Sequence, residues 1–522
     1  MSETTTTTDP RLARPTWDAR GARRSAATMR VMALIAIPLG LLYLTWLMRP
    51  ERVGQPILFA FLIAAELFNF TQALGFWWTV SRQRRRRRRP LVRAETEPYP
   101  EVDVLIPVYD EPVAVVEPTV EAAAALRGAR VNVWLLDDGA STAMRRLADR
   151  HGARYLARAR REGAKAGNVN HALQTARAPY AVVLDCDHVP DPEFLEATLG
   201  ELQLDERVAF VQTPQYYANH ADGGVAAGAW AQQALFFGAI ARGKDGHDAT
   251  FCCGTNVLFR RAALDEVGGF PEGSLTEDFE LSIHLHERGW RTAYLPEVLA
   301  RGLGPADMAS YVSQQQRWAR GCLSALPRAL KAKLPWRLKA QYLLSSMYFL
   351  SGWTVLIYMS MPILRILTGA QPLGEATADQ FLIHFAPYFG MALYAVAIAG
   401  GGSYTFGGFA LASASWWIHV QATILTLLGR RGRFVVTPKT GEARPQPRAV
   451  IPSLIAVALL LSTAILGMAR GMDPATLNNV AFAALHVTVL TVGLWPALVP
   501  TRPAEARATG VVSQEEEGRV AA

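Results

Sequence analysis

Residues 180–190 read YAVVLDCDHVP. A short apolar run, suited to a buried strand, ends in two carboxylates, Asp185 and Asp187, with Cys186 between them. Side chains at i and i+2 of an extended segment point to the same side, so the two acids face one target while Cys186 packs the other way. Like charges held this close repel unless something positive lies between them. A divalent cation meets that need, and Mg2+ is commonly held by one or two carboxylates together with substrate phosphates. An Asp-x-Asp also occurs in ordinary turns, so its surroundings decide its meaning.

Two earlier runs have the same form. VDVLIPVYDEP at 102–112 and VNVWLLDDG at 131–139 alternate with helical stretches, and both end in acids. The series reads as parallel α/β. Ligands of open parallel sheets bind beyond the carboxyl ends of the strands. Tyr109, Glu111, Asp137, Asp138, Asp185 and Asp187 are therefore expected to converge on one cleft.

Half of the 522 residues are hydrophobic, and much of that apolar content lies in runs of the length that spans a bilayer. The expected spans are 31–48, 57–80, 341–367, 381–400, 449–469 and 477–499. The segment 404–428 has paired Gly and Trp residues with His419 and Gln421, and reads as an interfacial helix rather than a seventh span. Much of the net charge of +8 sits in Arg82 and Arg84–Arg89 beside the second span, where contact with anionic lipid and control of topology are expected rather than nucleic-acid binding. The basic tail, the arginine block and the basic loop 430–448, set against a 369–380 connection without Lys or Arg, place both termini, the 90–325 region and that loop in the cytosol. The four cysteines lack zinc-ligand spacing and read as reduced thiols. Residues 326–340 read as an amphipathic interface helix or, equally, as a plain membrane-proximal linker. Glu66 and Asn69, inside the second span, have two readings, a polar path through the bundle or a packing hydrogen bond.

DDG at 137–139, KAGN at 165–168, DCD at 185–187, TED at 276–278 and QQQRW at 314–318 occur in one order. Together they resemble the processive inverting glycosyltransferases of family 2, the cellulose synthase group, over roughly 100–325. RFVVTPK at 433–439 looks like that group's gating loop. The resemblance implies a GT-A-type α/β cytosolic glycosyltransferase domain inserted in an α-helical membrane domain of about six transmembrane helices. Its parts are a tail (1–29), two spans (30–80), a basic linker (81–99), the GT-A domain (100–325), an interface helix (326–340), two spans (341–400), an interface helix with the gating-like loop (401–448), two spans (449–500) and a disordered tail (501–522).

The resemblance also assigns roles. Asp187, assisted by Asp185, would ligate Mg2+ or Mn2+ on a nucleotide diphosphate sugar; Asp137 and Asp138, with Tyr109 and Glu111, would contact the nucleoside. Lys165 would meet phosphate. Asp278, in the TED run with Thr276 and Glu277, would be the general base, placed in the first turn of a helix starting near Thr276, where the dipole favours an ionised carboxylate. Gln314, Arg317 and Trp318 match Q-x-x-R-W, with Trp318 as a platform for the polymer end, and FCCGTN at 251–256 puts Cys253 and Gly254 beside the acceptor, although simple packing explains the cysteine pair equally. Phe434, Val436, Thr437 and Lys439 match the gating pattern, a lid that excludes water.

Two departures bear on the donor. Arg161–Ala164, before KAGN, lacks the histidine often found there, and FCCGTN differs from the usual wording. The stretch 501–522 is too short for a PilZ domain, so regulation by cyclic-di-GMP within this chain is not expected. The expected activity is extension and export of a β-glucan from UDP-glucose at the cell (inner or plasma) membrane, with membrane lipids and accessory export proteins as further partners. The alternatives are transfer of one sugar to a polyprenyl phosphate, and a non-catalytic membrane scaffold.

Overall fold

The computed structural model describes residues 21–84, 86–92, 98–374, 377–430 and 445–499. It opens with two helices, α1 (Gly21–Leu47) and α2 (Pro56–Val80). The start of α2 is set by its sequence. Gln55 caps it by accepting from Leu58 N at 2.7 Å, and Pro56 lies in the first turn, where a missing N–H leaves no gap in the ladder.

The central domain runs β1 (Glu101–Val108), α3 (Val113–Ala124), β2 (Arg130–Asp137), α4 (Thr142–Arg150), β3 (Arg154–Leu156), α5 (Ala164–Leu173), β4 (Tyr180–Val183), β5 (Val189–Pro190), α6 (Phe194–Leu204), β6 (Val208–Gln212), β7 (Tyr216–Tyr217), α7 (Gly224–Leu235), α8 (Ala241–Gly246), β8 (Val257–Arg260), α9 (Arg261–Val267), α10 (Glu277–Glu287), β9 (Arg291–Tyr294) and β10 (Ala300–Gly302). Then follow α11 (Met308–Lys331), α12 (Trp336–Met347), α13 (Ser351–Thr368), α14 (Ala378–Gly400), α15 (Phe406–Ala414), α16 (Trp416–Leu427), α17 (Ile451–Arg470) and α18 (Pro474–Leu498).

The large sheet has the order β3-β2-β1-β4-β8-β6-β9. The three acid-tipped strands are neighbours and parallel, with Val102 opposite both Val131 and Tyr180. The sheet is mixed, because β8 runs antiparallel between β4 and β6. Both faces are covered. Val104, Ile106 and Val182 pack into one apolar cluster, and Leu105, Leu136 and Val183 into another. Burial on both sides is why these strands read as continuous apolar runs. Asp103 is the exception, a buried carboxylate that accepts from Trp134 Nε1 at 2.9 Å, Asn132 Nδ2 at 3.2 Å and Ala178 N at 2.8 Å, tying β1 to β2 and to the entry of β4. The chain leaves β1 for β2 and β3 and returns to β4 on its other side. The order reverses at β1, which opens a crevice at the carboxyl ends.

Part of the arginine block, expected to meet lipid, is paired within the protein instead. Alternate residues of this extended segment face the protein. Arg84 donates to Asp248 at 2.8 Å, Arg86 pairs with Asp245 at 3.0 Å and with Glu201, and Arg88 reaches Glu193 at 2.8 Å and Glu297 at 2.6 Å. Arg87 stays exposed. The segment passes so close to Gly246 that a Cβ there would collide with the Arg82 carbonyl. It straps the membrane helices to the domain.

Seven helical stretches among the described residues are long and apolar enough to cross a membrane. Six overlap the apolar runs read from the sequence: Ala26–Leu47, Pro56–Val80, Trp336–Thr368, Asp379–Gly400, Pro447–Arg470 and Pro474–Leu498. The seventh, Gly224–Gly246, is mostly buried and ends in Asp245, which accepts from Tyr294 N at 3.1 Å and is ion-paired to Arg86. Its first half packs against α15 and α18 and its end against β9, so it joins the helical layer to the sheet. Residues 404–428 form two helices that meet at Ser415, α15 and α16, each too short to span. The expected interface helix at 326–340 is divided as well: α11 continues to Lys331 and α12 begins at Trp336. Within the bundle, Asn69 donates to Tyr358 Oη at 2.8 Å, the packing alternative for that residue.

Candidate functional site

A cavity of about 1110 Å³ opens at the carboxyl ends of β1, β2 and β4. Its wall includes Tyr109, Glu111, Asp138, Lys165, Asp185 and Asp187. The acids do not lie on the expected extended strand: β4 ends at Val183, and Asp185–His188 form a turn in which His188 N donates to the Asp185 carbonyl at 2.9 Å, with Cys186 buried against the core.

The positive charge beside the paired acids is Lys165, which is ion-paired to Asp185 and donates to the Gly254 carbonyl at 2.8 Å. Burial alone would lower the lysine's pKa, but Asp185, Glu277 and Asp278 outweigh it and hold it above the ordinary value. Ligand atoms of Asp185, Asp187 and His188 all lie within 4.8 Å of one another. His188 Nδ1 is 3.3 Å from Asp187 Oδ1, and its buried Nε2 has no hydrogen-bond partner. Two carboxylates and an orphaned imidazole nitrogen fit a hard divalent cation such as Mg2+ or Mn2+.

Asp137 and Asp138 differ sharply. Asp137 is not in the cavity wall; its Oδ1 accepts from Gly139 N at 2.7 Å, and its Oδ2 from Ser141 N at 2.6 Å and Tyr155 Oη at 2.8 Å. Its oxygens are engaged away from the cavity, by the turn after β2 and by Tyr155 of β3, so of the two acids expected to meet the nucleoside only Asp138 lines the cavity. Asp138 is clamped by Arg158, which donates Nε to Oδ1 at 2.6 Å and Nη2 to Oδ2 at 2.7 Å. Arg158 also donates to the Glu162 carbonyl at 2.5 Å and the Ala164 carbonyl at 2.9 Å, which fixes the approach to α5 and to Lys165. Glu111 Oε2 accepts from Tyr109 N at 2.8 Å, shaping the turn after β1.

Asp278 lies in the first turn of α10, which begins at Glu277 with Thr276 as N-cap. The sequence argument expected the helix dipole to keep this acid ionised. Burial, reinforced by Glu277, instead raises its pKa to about 7, while Phe279 N, Lys165 and Arg317 oppose the rise. That value suits proton abstraction near neutrality. Cys253 and Gly254 line the cavity beside Asp278, and burial pushes the Cys252 and Cys253 thiols well above their ordinary value, so neither serves as a nucleophile.

Gln314, Arg317 and Trp318, on α11, complete this wall with Thr276 and Glu277. From Trp318 the same cavity continues past Phe349 to Gln72 and Phe76 on α2 and to Ala392 and Val396 on α14, all on helices of the membrane layer. Phe434, Val436, Thr437 and Lys439 lie outside the described residues.

Sequence reasoning missed Arg158, hidden among Arg154, Arg160 and Arg161, and His188. The histidine had a usable signal, because it directly follows the paired acids.

Residues 180–399 match the family described as glycosyl transferase family group 2. Cellulose synthase 1 catalytic subunit (UDP-forming) of Komagataeibacter xylinus is 31% identical over 479 residues, 87% of this chain and 62% of that protein. Cellulose synthase 2 of Novacetimonas hansenii is 30% identical over 493 residues, 90% of this chain and 30% of that protein. The chain thus spans 30% to 62% of the length of these curated relatives. Among solved structures, the mannosyltransferase PcManGT from Pyrobaculum calidifontis, in complex with GDP-Man and Mn2+, superposes with a TM-score of 0.52 at 18% identity, over 72% of this chain and 99% of that one. That likeness is one of fold.

Proposed function

We propose a membrane-embedded, processive, inverting transferase that extends a β-linked glucan from UDP-glucose and passes the product out through its own helices, a reading supported by the match of residues 180–399 to glycosyl transferase family group 2. The observation that carries this reading is the continuity of the cavity from Asp278 past Trp318 to Phe76 and Val396 on the membrane helices. A transferase that released one small product into the cytosol would have no use for that passage. The similarity to UDP-forming cellulose synthase subunits supports the same donor and polymer.

In this reading Tyr109, Glu111 and Asp138 bind the nucleoside, and Arg158 keeps Asp138 in place. Lys165 binds the diphosphate. Asp185, Asp187 and His188 hold Mg2+ or Mn2+, which when bound offsets the negative charge on the departing diphosphate. Asp278 takes the proton of the acceptor hydroxyl as the new glycosidic bond forms at the anomeric carbon and the bond to the diphosphate breaks, with inversion. An indole presents a flat apolar face to a sugar ring, so Trp318 supports the acceptor while Arg317 and Gln314 flank it.

The test is product analysis. Purified chain in proteoliposomes, given labelled UDP-glucose and Mg2+ or Mn2+, is expected to yield a polymer that a β-glucanase degrades. A product consisting only of an organic-soluble monoglycosyl lipid overturns processivity in favour of transfer to a polyprenyl phosphate.

A further inference from the structure

The paired acids stand just past the point where β4 and β8 part. These strands run antiparallel with Val183 opposite Val257, and continuing that register would set Asp185 opposite Thr255. The backbone turns out of the sheet before it gets there. Gly254 has φ +82° and Asn256 φ +55°, so the residues on both sides of Thr255 lie in the left-handed region, which a strand does not use. A side chain takes over the ladder. Asp185 N donates to Thr255 Oγ1 at 2.8 Å, and that hydroxyl donates in turn to Asn256 Oδ1 at 3.2 Å.

The hydroxyl is itself held in place. Thr255 and Asn256 are fully buried, and Asn256 is anchored by its Nδ2, which donates to the Pro214 carbonyl at 3.1 Å, and by its own carbonyl, which accepts from Thr213 N at 3.0 Å. The same loop reaches the rest of the site. Cys252 N donates to Ser282 Oγ at 2.8 Å, and Ser282 Oγ donates to the Asp278 carbonyl at 2.8 Å, while the Gly254 carbonyl accepts from Lys165. Residues 252–255 therefore tie the helix of the proposed base, the lysine and the paired acids to one piece of backbone. Thr255 is the tie to the acids.

We propose that Thr255 is a positioning residue for the cation site, its hydroxyl setting where the Asp185–His188 turn stands so that the two carboxylates converge on a divalent cation. The inference rests on the metal-dependent donor half of the reading above, and it holds whether the product is a polymer or a lipid-linked sugar. Hydrogen bonds that orient metal ligands are typically worth about 10–100-fold in metal affinity. A methyl group in place of the hydroxyl keeps the packing and removes the acceptor of the Asp185 N–H.

The experiment follows Mn2+ uptake by the full chain in detergent, in the presence of UDP, by electron paramagnetic resonance. Thr255→Val is expected to weaken uptake about tenfold or more, and Thr255→Ser, which keeps the hydroxyl and loses only the methyl, to stay within about twofold of wild type. Thr255→Ala, smaller and free of any clash, is a second variant without the hydroxyl and carries the same expectation as Thr255→Val. Glucosyl transfer by either hydroxyl-free variant should recover as Mn2+ is raised. Wild-type uptake in both overturns the proposal, as does a Thr255→Ser uptake weakened as much as theirs, which would assign the effect to packing. A wild-type chain that takes up no Mn2+ with UDP overturns the metal-dependent donor reading, and the positioning role with it.

Discussion

Gly254 packs directly against Asp278: a methyl group at Gly254 would lie 3.0 Å from Asp278 Oδ2. Gly254 also has φ +82°, in the left-handed region, and its carbonyl accepts from Lys165. One glycine thus sets the spacing between the proposed base, Asp278, and Lys165, the proposed phosphate ligand. Gly254→Ala is expected to cost roughly 1–2 kcal/mol of stability for that backbone conformation and, by displacing Asp278, to lower kcat by about tenfold or more. A variant with wild-type turnover would show that the spacing is not critical.

The Asp278 carboxyl, raised to about 7 by burial and by Glu277, predicts the pH profile. A base must be ionised to accept a proton, so kcat should rise with pH through about 7. Asp278→Asn should abolish transfer, with a loss on the order of 10²–10⁴-fold, while UDP-glucose still binds. Stability moves the other way. Because the folded state holds this proton more tightly than the unfolded chain, the group's contribution declines as pH rises from about 4 to 7. Thermal unfolding across that range should therefore show Asp278→Asn gaining on wild type as the pH rises.

Arg158 and Asp138 form a buried two-point ion pair. Removing one member leaves the other charge buried alone, which typically costs about 3–5 kcal/mol. Arg158→Met should lower thermal stability and weaken UDP binding in calorimetry, because the loop ahead of Lys165 loses its anchor. Arg158→Lys should restore little, since an ammonium has no two-pronged donor geometry.

The strap makes a paired prediction. Arg86 is mostly buried against Asp245 and Glu201, whereas Arg87 is exposed. Arg86→Ala should destabilise the detergent-solubilised protein by about 3 kcal/mol or more, and Arg87→Ala should stay within about 0.5 kcal/mol. Equal effects in both variants would return the block to a purely lipid-facing role.

Chelation should stop transfer, with Mn2+ or Mg2+ restoring it. His188, whose Nδ1 faces Asp187 and whose Nε2 is buried without a partner, implies more: His188→Ala should weaken Mn2+ uptake in the presence of UDP, read by calorimetry or electron paramagnetic resonance. Unchanged uptake would remove the histidine from the ligand set.

The sequence by itself determined the acid-tipped strands at 102–112, 131–139 and 180–190, the apolar runs long enough to cross a bilayer, and the order of the short motifs. Each is a local pattern, written by the two-residue repeat of a strand or the length of a helix. The tertiary structure decided which of those residues face the cavity and in what state. Asp137 and Asp138 are adjacent in the chain, yet one closes a turn and the other meets Arg158, 20 positions away. Lys165 finds the Gly254 carbonyl 89 positions away, and Arg86 finds Asp245 159 away. Desolvation and ion pairing depend on which atoms surround a group in space, and no window of sequence contains those neighbours. For that reason the acidity of Asp278 and the strap became legible only once the chain was folded.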